Sequence, residues 1–296
     1  MKPLVVVDTM YFAFPLLYKK SPPEHIFSAI KNYVTRLSWV TEADIVFLLE
    51  GRNNFRKTIY PEYKMNRKEA EAKKSKAEQE YRKEFFKKLD SLFRVLPMFG
   101  RVVQLDSYEA DDLASYIAKN FNETYDIYLV SNDSDWFKFI NGKNVYIVSE
   151  RLGRSANRAS LETYMDYPID IKPIADALIG VPKENIKGIK RFGEKTFLKF
   201  YQQDPDDFIK AIAEKYDHTD KVSPFTTVQE LLEFNLQLTT PVTVLSEEDE
   251  VTLKQQFYHS RQPATVDDIF AELLQDDIML PDLFDCNFKR FYGISD

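Results

Sequence analysis

Leu4-Val5-Val6-Val7-Asp8 is the stretch that decides the fold. Its apolar run, mostly β-branched, has no polar face, so it reads as a strand buried on both sides, as in a parallel sheet. It ends on an acid, and further along the chain the same pattern recurs. Ile45-Val46-Phe47-Leu48-Leu49 is a second buried strand, ending on Glu50. Arg101 to Leu105 gives a short third strand. Ile127-Tyr128-Leu129-Val130 is a fourth, running into Ser131-Asn132-Asp133-Ser134-Asp135, and Val145 to Val148 is a fifth. Helical spacing fills the gaps, with Ile26, Ile30, Val34 and Leu37 on one face between Glu24 and Val40. Strands alternating with helices predict an α/β fold: a mostly parallel central sheet with helices on both faces.

Ligands of such sheets bind beyond the carboxyl ends of the strands. Asp8, Glu50, Asp133 and Asp135 all stand there. Tyr108-Glu109-Ala110-Asp111-Asp112-Leu113-Ala114-Ser115-Tyr116-Ile117 adds three carboxylates at the mouth of a helix whose buried face is Leu113, Tyr116 and Ile117. Acids in a first turn suit the helix dipole. Anions this close also repel, and a site that keeps them ionised usually holds a cation. All-carboxylate ligands favour hard ions such as Mg²⁺ or Mn²⁺. Two such ions roughly 4 Å apart can clamp an in-line phosphoryl displacement.

The charge distribution points to the substrate. The 296 residues carry a formal net charge of −7, yet from Arg52 to Lys88 13 Lys and Arg face 6 Glu, so that stretch carries +7 and the remainder −14. A basic working surface on an acidic body suits a polyanion. Cations and aromatics mix from Phe55 to Arg67. Residues 66 to 80 are almost wholly polar and read as a mobile basic flap over an acidic cleft. The apolar face begins with Tyr81, Phe85, Leu89, Leu92, Phe93 and Leu96. Arg151-Leu152-Gly153-Arg154-Ser155-Ala156-Asn157-Arg158 reads as an arginine-bearing loop. After a helix from Ile174 to Ile179, Gly188 and Gly193 bracket a turn set among Lys183, Lys187, Lys190, Arg191, Lys195 and Lys199. The amides of that turn can cradle a phosphate where the next helix begins. From Asp204 onward the chain is helical and acidic, with a break at Thr240 to Val244, and carries no legible chemistry. With 3 His and 1 Cys, a conventional His/Cys zinc site is not expected and a reducing cytoplasm is expected. No apolar run reaches membrane-spanning length and no signal-peptide pattern is seen. No Ser/His/Asp or Cys/His nucleophile set and no P-loop competes with a metal-dependent phosphodiesterase.

Val5-Val6-Val7-Asp8, Tyr63-Lys64-Met65-Asn66-Arg67, Glu109-Ala110-Asp111-Asp112, Ser131-Asn132-Asp133-Ser134-Asp135 and Gly188-Ile189-Lys190-Arg191-Phe192-Gly193-Glu194-Lys195-Thr196 occur in this order. Together they resemble the 5′-nuclease (flap endonuclease) superfamily over about residues 4 to 200. The helical tail is similar to that of phage RNase H-type members. The resemblance implies a PIN-like core with a helical arch (about 52–88), a helix–three-turn–helix (about 176–201) and C-terminal helices, divided as a nuclease core, 1–175, and a helical region, 176–296. It implies a monomer that removes primers in replication, cutting branched, nicked or flapped DNA and RNA–DNA hybrids at the 5′ strand. It further implies two Mg²⁺ ions for catalysis, with Mn²⁺ as a substitute, and a K⁺ ion at the turn.

By the same resemblance, Asp8, Glu50, Glu109 and Asp111 match the first metal site, with Glu50 where the family usually has Asp. Asp112, Asp133 and Asp135 match the second site or its water shell, and Glu184 matches an acid ahead of the turn. Lys64 and Arg67 match cations on the scissile phosphate. Arg52, Arg56, Lys57 and Tyr63 at the arch are expected to contact DNA, as are Lys187, Gly188, Lys190, Arg191, Gly193, Lys195 and Thr196 at the turn. One departure stands out: Gly180-Val181-Pro182-Lys183-Glu184-Asn185 has Val181 where the family has an acid, so the second metal site is expected to be poorer. A single-stranded-DNA-binding protein or a polymerase is the implied protein partner, in the host cytoplasm if the chain is phage-encoded. Two other readings stay open: a PIN-type ribonuclease acting on single-stranded RNA, and a nuclease-derived protein that binds junctions without cutting.

Overall fold

The computed structural model describes residues 1–35, 43–140, 143–149, 154–259 and 261–295, without the side chains of 154 and 155. Leu37 and the end of the helix expected to run to Val40 fall outside these residues, as does Arg151 of the expected arginine loop. The chain opens with β1 (Lys2–Asp8), α1 (Thr9–Tyr18), α2 (Ile26–Thr35), β2 (Asp44–Leu48), α3 (Arg56–Ile59), α4 (Met65–Ala72), α5 (Lys76–Arg94) and α6 (Leu96–Phe99). It continues through β3 (Arg101–Val103), α7 (Ala110–Asn120), β4 (Tyr125–Val130), β5 (Val145–Ser149), β6 (Arg154–Ala156), α8 (Arg158–Met165) and α9 (Lys172–Ile179). After the short pair β7 (Gly180–Val181) and β8 (Ile186–Lys187) come α10 (Glu194–Gln203), α11 (Phe208–Tyr216), α12 (Val228–Thr239), α13 (Glu247–His259), α14 (Val266–Leu274) and α15 (Cys286–Tyr292).

The main sheet runs in the order β3-β2-β1-β4-β5-β6. The first five strands are parallel and correspond to the five apolar runs. β1 is the central one, and Leu4 to Val7 have no exposed surface at all. At about 1.5–3 kcal/mol per fully buried aliphatic side chain, such a strand anchors the core. β6 is a correction: residues 154–156, expected in a loop, form an antiparallel edge strand against β5. The polar flap is helical. It consists of α4, which buries no residue, and the start of α5, whose N-cap Ser75 accepts the Glu78 amide at 3.2 Å. The apolar face of α5 lies where periodicity predicts it, with Phe85, Leu89 and Leu92 buried.

Compactness divides the chain otherwise than at residue 175. One unit comprises 1–52, 74–156 and 242–296, and the other comprises 53–73 and 157–241. The C-terminal helices belong to the sheet unit because they finish its core. Tyr292 and Phe288 pack against Phe99, and the Tyr292 hydroxyl donates to the Phe27 carbonyl at 2.6 Å. Gln256 of α13 exchanges two hydrogen bonds with the backbone of Gln104, just past edge strand β3. Covering an edge in this way blocks strand pairing with other chains.

Candidate active site

In the sheet unit, register brings the acids together. β1 and β4 are parallel neighbours with Val7 opposite Val130, so Asp8 and Ser131 emerge side by side. Asp8 caps α1: its Oδ1 accepts the Tyr11 amide at 3.1 Å, and its Oδ2 accepts the Ser131 hydroxyl at 3.1 Å. Ser131 Oγ in turn accepts the Asp133 amide, and Asp133 Oδ1 accepts the Asp135 amide at 3.0 Å. Burial pushes the Asp8 carboxyl up to about 6, and the Asp133 charge adds to this. The hydrogen bonds from Tyr11 and Ser131 pull the other way without winning. A neighbouring cation would reverse this balance. On the other side of β1, β2 carries Glu50 beyond its end, exposed, with its carbonyl accepting from Gln104.

Asp111 of α7 is tied to the same edge through one indole. Trp136 is fully buried in the 3₁₀ turn Ser134–Phe139, and its Nε1–H donates to Asp111 Oδ1 at 2.6 Å. This ties the loop after β4 to the mouth of α7. Glu109, nearly buried, is the N-cap residue of α7. Asp112 is 0 % exposed, and its oxygens accept the amides of Glu109 at 3.1 Å and Val242 at 3.4 Å, so here it fixes the turn. Asp135 faces Lys138, with Nζ 3.6 Å from Oδ1.

The donor chemistry fits a hard divalent cation: Asp8, Glu50, Glu109, Asp111, Asp133 and Asp135 offer oxygen alone. Among the described residues, no three His, Cys, Asp or Glu side chains form a group that could hold an ion as they stand. Most of these acids are instead turned toward the donors named above.

Lys64, Arg67 and Glu184 belong to the second unit. Lys64 takes a left-handed backbone (φ 57°) and donates its amide to the Glu184 carbonyl at 2.9 Å. Its Nζ lies 3.5 Å from the Glu184 carboxylate, so this expected metal ligand meets a lysine. Arg67 donates to the Lys183 carbonyl and Asn66 to that of Pro182. Val181 packs in a small apolar cluster with Tyr63, Ile186 and Leu238. Two of the expected DNA contacts are buried here. Tyr63 is 2 % exposed in that cluster. Arg56 is 4 % exposed and donates to the carbonyls of Leu238 and Thr240 at the end of α12. Their side chains are committed to the fold of this unit. Lys57 is exposed here, as is Arg52 in the sheet unit.

The turn after β8 keeps part of its expected role. Gly180 has φ +84°, and a Cβ on Gly188 would lie 2.2 Å from the Ile179 carbonyl carbon, so both positions require glycine. The amides of Ile189, Lys190 and Phe192 are spent on the carbonyls of Leu178, Lys221 and Ile189. The first-turn amides of Glu194 and Lys195 have no partner inside α10, whose N-cap Gly193 makes no side-chain cap, while that of Thr196 bonds the Gly193 carbonyl. A Cβ on Gly193 would meet nothing within 4 Å, so the approach to them is open. Lys187, Lys190, Arg191 and Lys195 are exposed around it, and Thr196 and Gly188 are half-buried.

Sequence reasoning did not single out Ser131, Trp136 or Lys138. Ser131 lay inside a quoted motif. Trp136 and Lys138 gave no signal beyond following Asp133 and Asp135.

The model of a 5′-3′ exonuclease N-terminal resolvase-like domain matches residues 3–167. The flap endonuclease of Escherichia phage T5 is 26% identical over 206 residues, 65% of this chain and 67% of that one. A 5′-3′ exonuclease of Buchnera aphidicola subsp. Schizaphis graminum is 25% identical over 210 residues, 67% of this chain and 69% of the relative. The fold is similar to a crystal structure of the phage T5 flap endonuclease with DNA and metal ions, at a TM-score of 0.65 and 22% identity, over 99% of this chain and 100% of that one. The family match spans more than half of the sequence, and the chain belongs to the 5′-3′ exonuclease family.

Proposed function

We propose, with that membership as premise, that the acidic sheet edge hydrolyses phosphodiesters at the 5′ strand of branched, nicked or flapped DNA and of RNA–DNA hybrids during replication. The observation that carries this reading is the coupling of acids from three elements: Asp8 to Asp133 through Ser131, and Asp111 to the same loop through Trp136. Asp8, Glu50, Glu109 and Asp111 are assigned to one Mg²⁺ and Asp133 and Asp135 to a second, with Mn²⁺ as a substitute. Bound there, the ions supply Lewis-acid stabilisation of charge on the scissile phosphate. Ser131 and Trp136 orient the carboxylates with neutral donors and leave their charge intact. Lys64 and Arg67, in the second unit, are kept as phosphate-binding cations. The open first turn of α10, with Lys187, Lys190, Arg191 and Lys195, binds duplex backbone without reading sequence, and K⁺ can join it there. A single-stranded-DNA-binding protein or polymerase as partner, a monomeric state and a cytoplasmic site of action remain part of the proposal.

The family match disfavours the non-catalytic reading, although Val181, packed among apolar neighbours, still stands where the family has an acid. The test is cleavage of a 5′-labelled flap and a nicked RNA–DNA hybrid, in Mg²⁺ and in Mn²⁺, by wild type and Asp111→Ala. Metal-dependent products lost in the variant are expected. Junction binding without products in either metal would overturn the proposal.

A further inference from the structure

We infer that Lys138 is a built-in competitor for the divalent ion at Asp135, and that it sets the ion concentration the enzyme requires. This rests on the reading of the acidic edge given above. The 3₁₀ turn Ser134–Phe139 carries two side chains toward the acids, and they act in opposite ways. Trp136 donates a neutral N–H to Asp111, which directs a lone pair and leaves the negative charge in place. Lys138 brings a full positive charge to 3.6 Å from Asp135 Oδ1. The lysine side chain is 5 % exposed and that of Asp135 is 15 % exposed, so solvent screens the pair poorly.

An ammonium beside a ligand carboxylate does what a metal ion does there, with one charge instead of two. A divalent ion must therefore displace it or share the carboxylate with it, and either costs affinity. Neutral donors also orient the neighbouring acids: Asp8 accepts from an amide and a hydroxyl, and Asp133 from an amide. Lys138 thus weakens Asp135 as a ligand. Local sequence alone places this device, since i,i+3 spacing in a 3₁₀ turn sets the two side chains over one another.

The test is calorimetric titration of the full chain with Mn²⁺, with flap cleavage measured against Mg²⁺ concentration in parallel. The proteins are wild type, Lys138→Met, Lys138→Gln and Lys138→Arg. Lys138→Met and Lys138→Gln should bind Mn²⁺ about tenfold more tightly and reach half-maximal cleavage at roughly tenfold lower Mg²⁺, as about 1.4 kcal/mol of lost competition would give. Lys138→Arg should stay near wild type. A structural lysine would give the opposite sign, because a damaged site binds ions less tightly. If melting temperatures hold and both neutral variants bind Mn²⁺ as wild type does or more weakly, the inference is wrong while the nuclease reading stands. If wild type itself neither binds Mn²⁺ nor cleaves, the reading beneath it fails instead.

Discussion

The two units of this chain treat their acids in contrasting ways. In the sheet unit, Asp8, Asp111 and Asp133 are held by amides, a hydroxyl and an indole N–H. In the second unit, Glu184 is held by the Lys64 ammonium, beside a position where Val181 is buried among apolar side chains. Neutral donors aim a carboxylate and leave its charge available. A cationic partner cancels it. By this difference, the carboxylates of the sheet edge are oriented by neutral donors, as a divalent ion would need, whereas Glu184 is paired with a cation. Asp135 with Lys138 is the point where the second pattern intrudes on the first.

The largest effect expected from breaking this contrast is at Asp8. Asp8→Asn should lower cleavage on the order of a thousandfold, by removing a charge that a bound ion needs. The same change should stabilise the ion-free protein. The folded carboxyl is raised from 3.8 to about 6, so its relative stabilising contribution is complete below the unfolded value and is lost as pH rises through about 6. Above that pH, ionisation costs at most roughly 3 kcal/mol, and asparagine avoids this cost while keeping the N-cap. Melting curves in chelator should show the gain at pH about 8 and none at pH about 4. An unchanged melting temperature at the higher pH would refute the burial argument.

Val181→Asp comes next. On sequence grounds it restores a family acid and should improve the second ion site. On structural grounds it buries a carboxylate against Tyr63, Ile186 and Leu238, and should cost roughly 2–4 kcal/mol. Denaturation together with Mn²⁺ titration decides between the two: lower stability with no gain in affinity is predicted. Lys64→Met should cost about 2 kcal/mol by leaving Glu184 without its ammonium. Adding Glu184→Gln should recover part of that loss, and strict additivity in the double-variant cycle would mean the pair is not coupled. The smallest effects are expected at the turn. Lys190→Ala or Arg191→Ala should each reduce the salt dependence of duplex binding by about one counterion. Arg56→Met should lower the melting temperature and leave that slope alone, since its guanidinium is engaged with α12.

How much of this was legible in the sequence follows the range of the forces involved. The five parallel strands and the buried faces of α5 and α7 rest on local periodicity, and each lies where the pattern places it. Acids at strand ends were legible for the same reason. The partners of single side chains were not. Arg56 looks like its exposed neighbour Lys57 until residues about 180 positions away supply two carbonyls. Asp112 looks like Asp111 until Val242, 130 positions away, donates an amide. Tyr63 and Val181 are explained by each other across more than a hundred residues. β6 is too short to show a period, and its pairing with β5 fixes it.

The measurement that bears most directly on the central claim is a calorimetric Mn²⁺ titration of wild type and Asp8→Asn, with cleavage of a 5′-labelled flap followed on the same samples. The account predicts that wild type binds the ion and cuts, and that Asp8→Asn remains folded but loses both together. A folded Asp8→Asn protein that binds Mn²⁺ as wild type does and still cuts would show that the carboxylate charge at the sheet edge is not what the reaction uses.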